Sequence, residues 1–134
     1  MKKNPKMCVS SDEVERLKNE EQINTEKRKK RNEDIQNSIS YMAGVRKKMA
    51  QEYNDMGIIL FKDGQRNNAI KFFEESIKMY KNNYNLQNIS FLYYKLSEFD
   101  KALEYINQSI EFKQTDENLR IKKEIQGIIN KLEN

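Results

Sequence analysis

Tyr53-x2-Met56-Gly57-x2-Leu60 with Ala69-x3-Phe73, and Leu86-x2-Ile89-Ser90-x2-Tyr93 with Ala102-x3-Ile106, are one pattern written twice, 33 residues apart. The register continues through Gly64 and Ser97, Ser76 and Ser109, and Ile77 and Ile110. Apolar residues in each copy recur at threes and fours, which puts them on one helix face. Turn-forming residues interrupt each copy in the middle, Lys62-Asp63-Gly64-Gln65 in the first and Ser97-Glu98 in the second. Each copy therefore reads as two helices joined by a tight turn. A period in the thirties marks a helical repeat, whose units stack because none can bury its apolar face alone.

Upstream, the apolar stripe extends through Ile35, Ile39, Met42, Val45 and Met49 into the first copy without a phase break. One long helix over about residues 34–62 is expected, weakest at Gly44, since Gly costs about 1 kcal/mol in a helix interior. From Val14 to Asp34 only Val14, Leu17 and Ile23 are apolar, so this stretch predicts an exposed, frayed helix. Ser10 and Glu13 can form a capping box at its start, with Val9 and Val14 as a hydrophobic staple. Downstream, helices are expected over Asn67–Lys81, Asn85–Leu96 and Asp100–Lys113, with a turn at Asn82-Asn83. Thr115 caps a last helix carrying Leu119, Ile121, Ile125, Ile128, Ile129 and Leu132. The fold class is all-α. The expected organisation is a disordered tail (1–9), a helical arm (10–49), two helical hairpins (50–116) and a C-terminal capping helix (117–134).

The bulk composition agrees. The 134 residues suit one domain, and 34% charged residues with one Pro and four Gly favour helix. Asn (16), Lys (19) and Ile (14) are abundant, a bias expected of an AT-rich genome that discounts arguments from individual Asn residues. Residues 1–49 carry 13 basic and 8 acidic side chains, +5, while residues 50–134 carry 12 and 13, −1. The excess positive charge therefore sits on the arm. Cys8 is the only cysteine and there is no histidine, which excludes an internal disulfide and a zinc site of the usual type. No apolar run exceeds four residues, so no membrane-spanning helix is expected. Met1 to Ser11 lacks the apolar core of a signal peptide, and Asp12 and Glu13 argue against a transit peptide. These features predict a soluble, intracellular, cytoplasmic protein, with a nuclear address as the alternative.

The doubled pattern resembles the tetratricopeptide repeat, a helix–turn–helix unit of about 34 residues with the signature W-x2-L-G-x2-Y…A-x3-F…P. The resemblance covers residues 50–116 and implies a short α-α superhelix with a long N-terminal helical arm. Gly57, Ser90, Ala69 and Ala102 are small where the helices of a pair cross, and Phe73 and Ile106 fill the gap toward the next unit. The copies depart from the signature in lacking the closing Pro, near Lys81 and Gln114, and in placing Tyr53 and Leu86 where the large aromatic stands. Stable arrays need about three units. The stripe of Ile35, Ile39, Met42 and Val45 is expected to cover the open end of the first, from this chain or by self-association through residues 35–49.

The resemblance also implies a concave groove lined by the first helix of each pair. In this chain it would comprise Gln51, Asn54, Ile58, Phe61 and Lys62, then Tyr84, Asn88, Phe91, Tyr94 and Lys95, then Ile121, Lys122 and Ile125 of the last helix. One subclass grips the C-terminal carboxylate of heat-shock chaperones with Lys, Asn and Arg. Asn88 matches one such position, but Asn54 and Ile58 stand where a Lys and an Asn belong, so this clamp is incomplete and chaperone-tail binding is not expected. Phe61, Phe91 and Tyr94 suit an apolar or amphipathic helix instead. The alternative is a groove filled by the chain's own helices.

Lys27-Arg28-Lys29-Lys30-Arg31 is the one basic run, a candidate import signal or phosphate-contacting stripe. Residues 1–40 contain no aromatic, which leaves no base stacking. Glu26, Glu33 and Asp34 flank the run, and a solvated face with i,i+4 ion pairs is the plain reading. Catalysis has no support: Cys8 lacks a base, no glycine-rich phosphate loop exists, and the adjacent acids of Glu20-Glu21 and Glu74-Glu75 point to different sides of a helix. No cofactor and no metal are expected. The sequence thus predicts a non-catalytic adaptor or scaffold subunit of a multi-subunit protein assembly. The alternative is a nucleic-acid-associated protein whose arm touches phosphates.

Overall fold

The computed structural model describes residues 10–134, and the tail and Val9 expected above lie outside them. Among the described residues the chain forms five α-helices and no strand: α1 (Ser11–Lys62), α2 (Arg66–Met79), α3 (Asn83–Lys95), α4 (Phe99–Phe112) and α5 (Asp116–Glu133). The stretch expected to fray and the long helix expected over 34–62 are one element, continuous through Gly44. Lys, Glu, Arg and Gln are good intrinsic helix formers, which favours helix where little is buried. Ser10 Oγ accepts the Glu13 backbone N–H at 3.2 Å. The Glu13 carboxylate sits 3.7 Å from Arg16 rather than closing the capping box.

Two compact units divide the chain, Met1–Met42 and Ala43–Asn134. In the first, every described residue is exposed. Ile35, Ile39 and Met42 are about half accessible.

The second unit holds the repeats. In the first hairpin the end of α1 crosses α2 at Gly57. A Cβ at that position would lie 2.6 Å from Cε1 of Phe73, so only Gly admits this ring. In the second hairpin Ser90 takes that place between α3 and α4. Its hydroxyl donates to the Ala102 carbonyl at 2.6 Å, and the smaller Ile106 replaces the ring. Ala69, Phe73, Ile89, Leu92, Tyr93, Ala102, Ile106, Ile121 and Ile125 make one continuous core. Tyr93 and Tyr105 stack within it, centroids 5.7 Å apart and 7° from parallel. Burial pushes both phenols above their ordinary value of 10.0, with Glu74 adding to each shift. The turns reverse with positive φ at Gly64 (82°) and at its register partner Ser97 (61°), the region where a Cβ is strained.

The closing Pro is absent, and a polar staple ends the helices in its place. Asn82 caps α3 and Thr115 caps α5, each in a full capping box with Asn85 or Asn118 three residues on. Asn85 Nδ2 also donates to the Tyr80 carbonyl (2.9 Å) and to Ser76 Oγ (3.0 Å). Ser76 Oγ donates in turn to the Ala50 carbonyl at 2.6 Å. The set recurs 33 residues later: Asn118 Nδ2 donates to the Lys113 carbonyl (2.8 Å) and Ser109 Oγ (3.2 Å), and Ser109 Oγ to the Asn83 carbonyl (2.8 Å). All four side chains are fully buried, and no buried side-chain polar atom among the described residues lacks a partner. A half-satisfied network of this kind would destabilise; a complete one fixes where each helix stops.

Candidate functional site

The groove between the end of α1 and α3 exists, and it has two ends of different chemistry. One end is a cavity of about 670 Å³ whose lining includes Gln51, Asn54 and Ile58 from α1, Tyr84, Gln87 and Asn88 from α3, and Glu117 from α5. Both helices turn a face here because the small residues at their crossings face the other way, into α2 and α4. Asn88 Nδ2 donates to Asn54 Oδ1 at 2.9 Å. That bond fixes both amides and leaves Asn54 Nδ2 as a donor and Asn88 Oδ1 as an acceptor without a protein partner among the described residues.

The other end is aromatic. Phe61 meets Phe91 edge-on at 6.0 Å, Phe91 meets Tyr94 at 6.2 Å, and Tyr94 meets Phe99 at 6.1 Å. All four rings are half-buried, and Phe61, Tyr94 and Phe99 pack against the core. Lys95 Nζ lies over Phe91 at 5.2 Å and over Tyr94 at 5.7 Å, a cation–π contact that covers the rings from solvent. Lys62 is exposed, and Arg66 donates to the Lys95 carbonyl at 3.4 Å, so this end carries a basic rim.

The structure corrects the part of the groove assigned to the last helix. Ile121 and Ile125 are buried in the core, because α5 turns its apolar face onto α4 and α3. Lys122 is half-buried, and Glu117, one turn earlier, supplies the α5 side of the cavity. Leu119 and Leu132 on the same helix are exposed.

The sequence reading missed Asn85 and Asn118, which position the groove by setting where α3 and α5 begin. The signal was present: they stand 33 residues apart, each three residues after a capping residue. Abundant Asn elsewhere concealed it.

On the arm, Lys27, Arg28, Lys29, Lys30 and Arg31 are all exposed. Arg28 Nε donates to the Asn24 carbonyl at 3.5 Å. Among the described residues none of the five forms an ion pair, so the expected i,i+4 pairs with Glu26, Glu33 and Asp34 are not made. No group of acids and thiols among the described residues could hold a metal ion, and no helix is long and apolar enough to cross a membrane.

The tetratricopeptide-repeat family model matches residues 50–83 and 85–116. No curated protein matches the chain. Among solved structures, the second TPR of Spaghetti (RPAP3), bound to the HSP90 peptide SRMEEVD, superposes with a TM-score of 0.61. It is 21% identical, over 65% of this chain and 82% of that one, a likeness of fold. Residues 50–83 and 85–116 are tetratricopeptide repeats, protein-interaction modules, and through them the chain belongs to the tetratricopeptide-repeat family.

Proposed function

We propose that the chain is a non-catalytic adaptor that holds an amphipathic segment of a partner protein in the groove between α1 and α3, as one subunit of a larger assembly. The observation that carries this reading is the Asn54–Asn88 pair in the lining of the cavity, with one amide donor and one acceptor left unpartnered among the described residues. A segment lying along it can give its backbone groups to these amides while an apolar side chain rests on the Phe61–Phe91–Tyr94 row. The RPAP3 domain is bound to the HSP90 peptide SRMEEVD. In this chain Asn54 and Ile58 stand in two of the positions a carboxylate clamp needs, so a chaperone tail is not the proposed ligand.

The test is affinity capture from native lysate with the wild-type chain, beside Asn54→Ala/Asn88→Ala and Ile58→Lys variants of verified helicity. A partner lost with both variants supports groove binding. A partner retained by both sinks it and points to the arm or the outer faces.

One observation favours a second reading, in which the arm contacts nucleic-acid phosphates: the five basic side chains at 27–31 have no carboxylate partner among the described residues. Counterion release then predicts a log–log salt slope of about −0.9 for each phosphate neutralised on duplex DNA. A slope unchanged by replacing Lys27, Arg28, Lys29, Lys30 and Arg31 with Ala rules that reading out.

A further inference from the structure

The 33-residue register shows one face that is covered in the second repeat and open in the first. Ile89 and Leu92 are 0% and 1% exposed, because the first repeat stacks on them; their register partners Met56 and Ile59 are 43% and 59% exposed. Around Met56 lies a shallow groove formed with Met49, Tyr53 and Phe72, where the Tyr53 and Phe72 rings pack at 6.0 Å. All of these residues lie in the unit Ala43–Asn134. The face is thus a stacking surface by construction, and methionines make it adaptable in shape.

The charges beside it say what covers it. Lys48, Glu52 and Asp55 follow one another at i, i+4 and i+7, so they share a ridge flanking Met49, Tyr53 and Met56. Among the described residues none of the three forms an ion pair. The ridge is basic at its N-terminal end and acidic at its C-terminal end. Laid against a parallel copy, Lys48 faces Lys48 and Asp55 faces Asp55. Laid against an antiparallel copy, Lys48 faces the acidic end twice over, by symmetry. Two-fold contacts require such self-complementarity.

We infer that this face is the dimer interface of the protein: a second copy docks with its α1 antiparallel, Met49, Tyr53 and Met56 meeting their counterparts across a two-fold axis. The apolar face is separate from the groove between α1 and α3; of the residues invoked here only Asp55 also lines that groove's cavity, and Met56→Glu tests the face without touching it.

The experiment is sedimentation equilibrium of the full chain across micromolar concentrations. The wild type is expected to be a dimer, and Met56→Glu, at an already exposed position, to weaken it by more than about tenfold while the far-UV circular dichroism is unchanged. Lys48→Glu is expected to weaken the dimer, and Lys48→Glu/Asp55→Lys to restore it. A monomeric wild type overturns the inference and assigns the face to a different protein. Dimers insensitive to Met56→Glu but dissolved by Ile39→Glu overturn it in favour of the stripe in residues 35–49. A charge swap that fails to restore the dimer overturns the antiparallel arrangement.

Discussion

The two repeats solve the same crossing with different atoms. In the first, Gly57 lets a phenyl ring come against the backbone of α1; in the second, Ser90 spans the gap with a hydroxyl bond to Ala102 and Ile106 fills the remainder. Volume removed on one helix is returned on the other, so the pairs Gly57–Phe73 and Ser90–Ile106 are alternatives, and neither half can be exchanged alone. Their N-terminal boundaries differ more. The second repeat begins at a staple centred on Asn85, whereas the first begins inside an unbroken helix, where Glu52 holds the register position of Asn85 and has nothing to staple. A repeat of this family therefore needs its crossing filled and its far helix stopped, and the means of doing either is open.

The staple is the place to break the comparison first. Asn85→Leu leaves the Asn82 N–H without its acceptor, leaves the Tyr80 carbonyl only the longer bond from Asn82 Nδ2, and takes one bond from Ser76. At about 1–3 kcal/mol for a stranded group and about 1 kcal/mol for each further bond lost, denaturant unfolding should report a loss of roughly 3 kcal/mol. Glu52→Leu, at the same register position, should cost almost nothing; equal losses would show that the staple is not what separates the repeats.

The crossing gives the next largest effect. Gly57→Ser should destabilise by about 1–3 kcal/mol through the clash with Phe73. Adding Phe73→Ile should return most of that loss, because the first crossing then copies the second. A double mutant no better than the single would contradict the exchange argument.

The stacked tyrosines, Tyr93 and Tyr105, make a smaller, pH-dependent contribution. Both phenols hold their proton more tightly folded than unfolded, so the stability this confers is complete below the ordinary value of 10.0 and lost as pH rises through their higher folded values. Absorbance titration should show Tyr93 and Tyr105 ionising above the ordinary value of 10.0. Tyr93→Phe/Tyr105→Phe should flatten the loss of stability above pH 10.0.

The turns give the smallest effect and the opposite sign. Ser97→Gly relieves a side chain at positive φ and should stabilise by about 0.5–1 kcal/mol, making the second turn match the first. A neutral or lower melting temperature would mean that Ser97 loses nothing by its conformation.

The hairpins were legible from the sequence because period and burial coincide: residues at Gly57, Ala69, Ser90 and Ala102 are small for a reason that repeats. The order of α1 upstream of Asp34 was less so, since a helix that buries nothing leaves no periodicity to read. Half of the site was legible. Asn54, Ile58, Tyr84 and Asn88 come together as the register implies. Ile121 and Ile125 do not, because α5 spends its apolar face inward, against α4 and α3. The staple escaped because polar side chains in a buried junction look, residue by residue, like those on a surface.

The staple leaves one further mark on the molecule. Each side-chain hydroxyl in it, on Ser76 and on Ser109, reaches the preceding helix only at a main-chain oxygen, at Ala50 and at Asn83. Such a joint makes no demand on the identity of the residue it grips. A block running from Asn83 to Thr115 carries every side chain needed to receive a copy of itself, so this architecture can lengthen by duplication without a compensating change elsewhere.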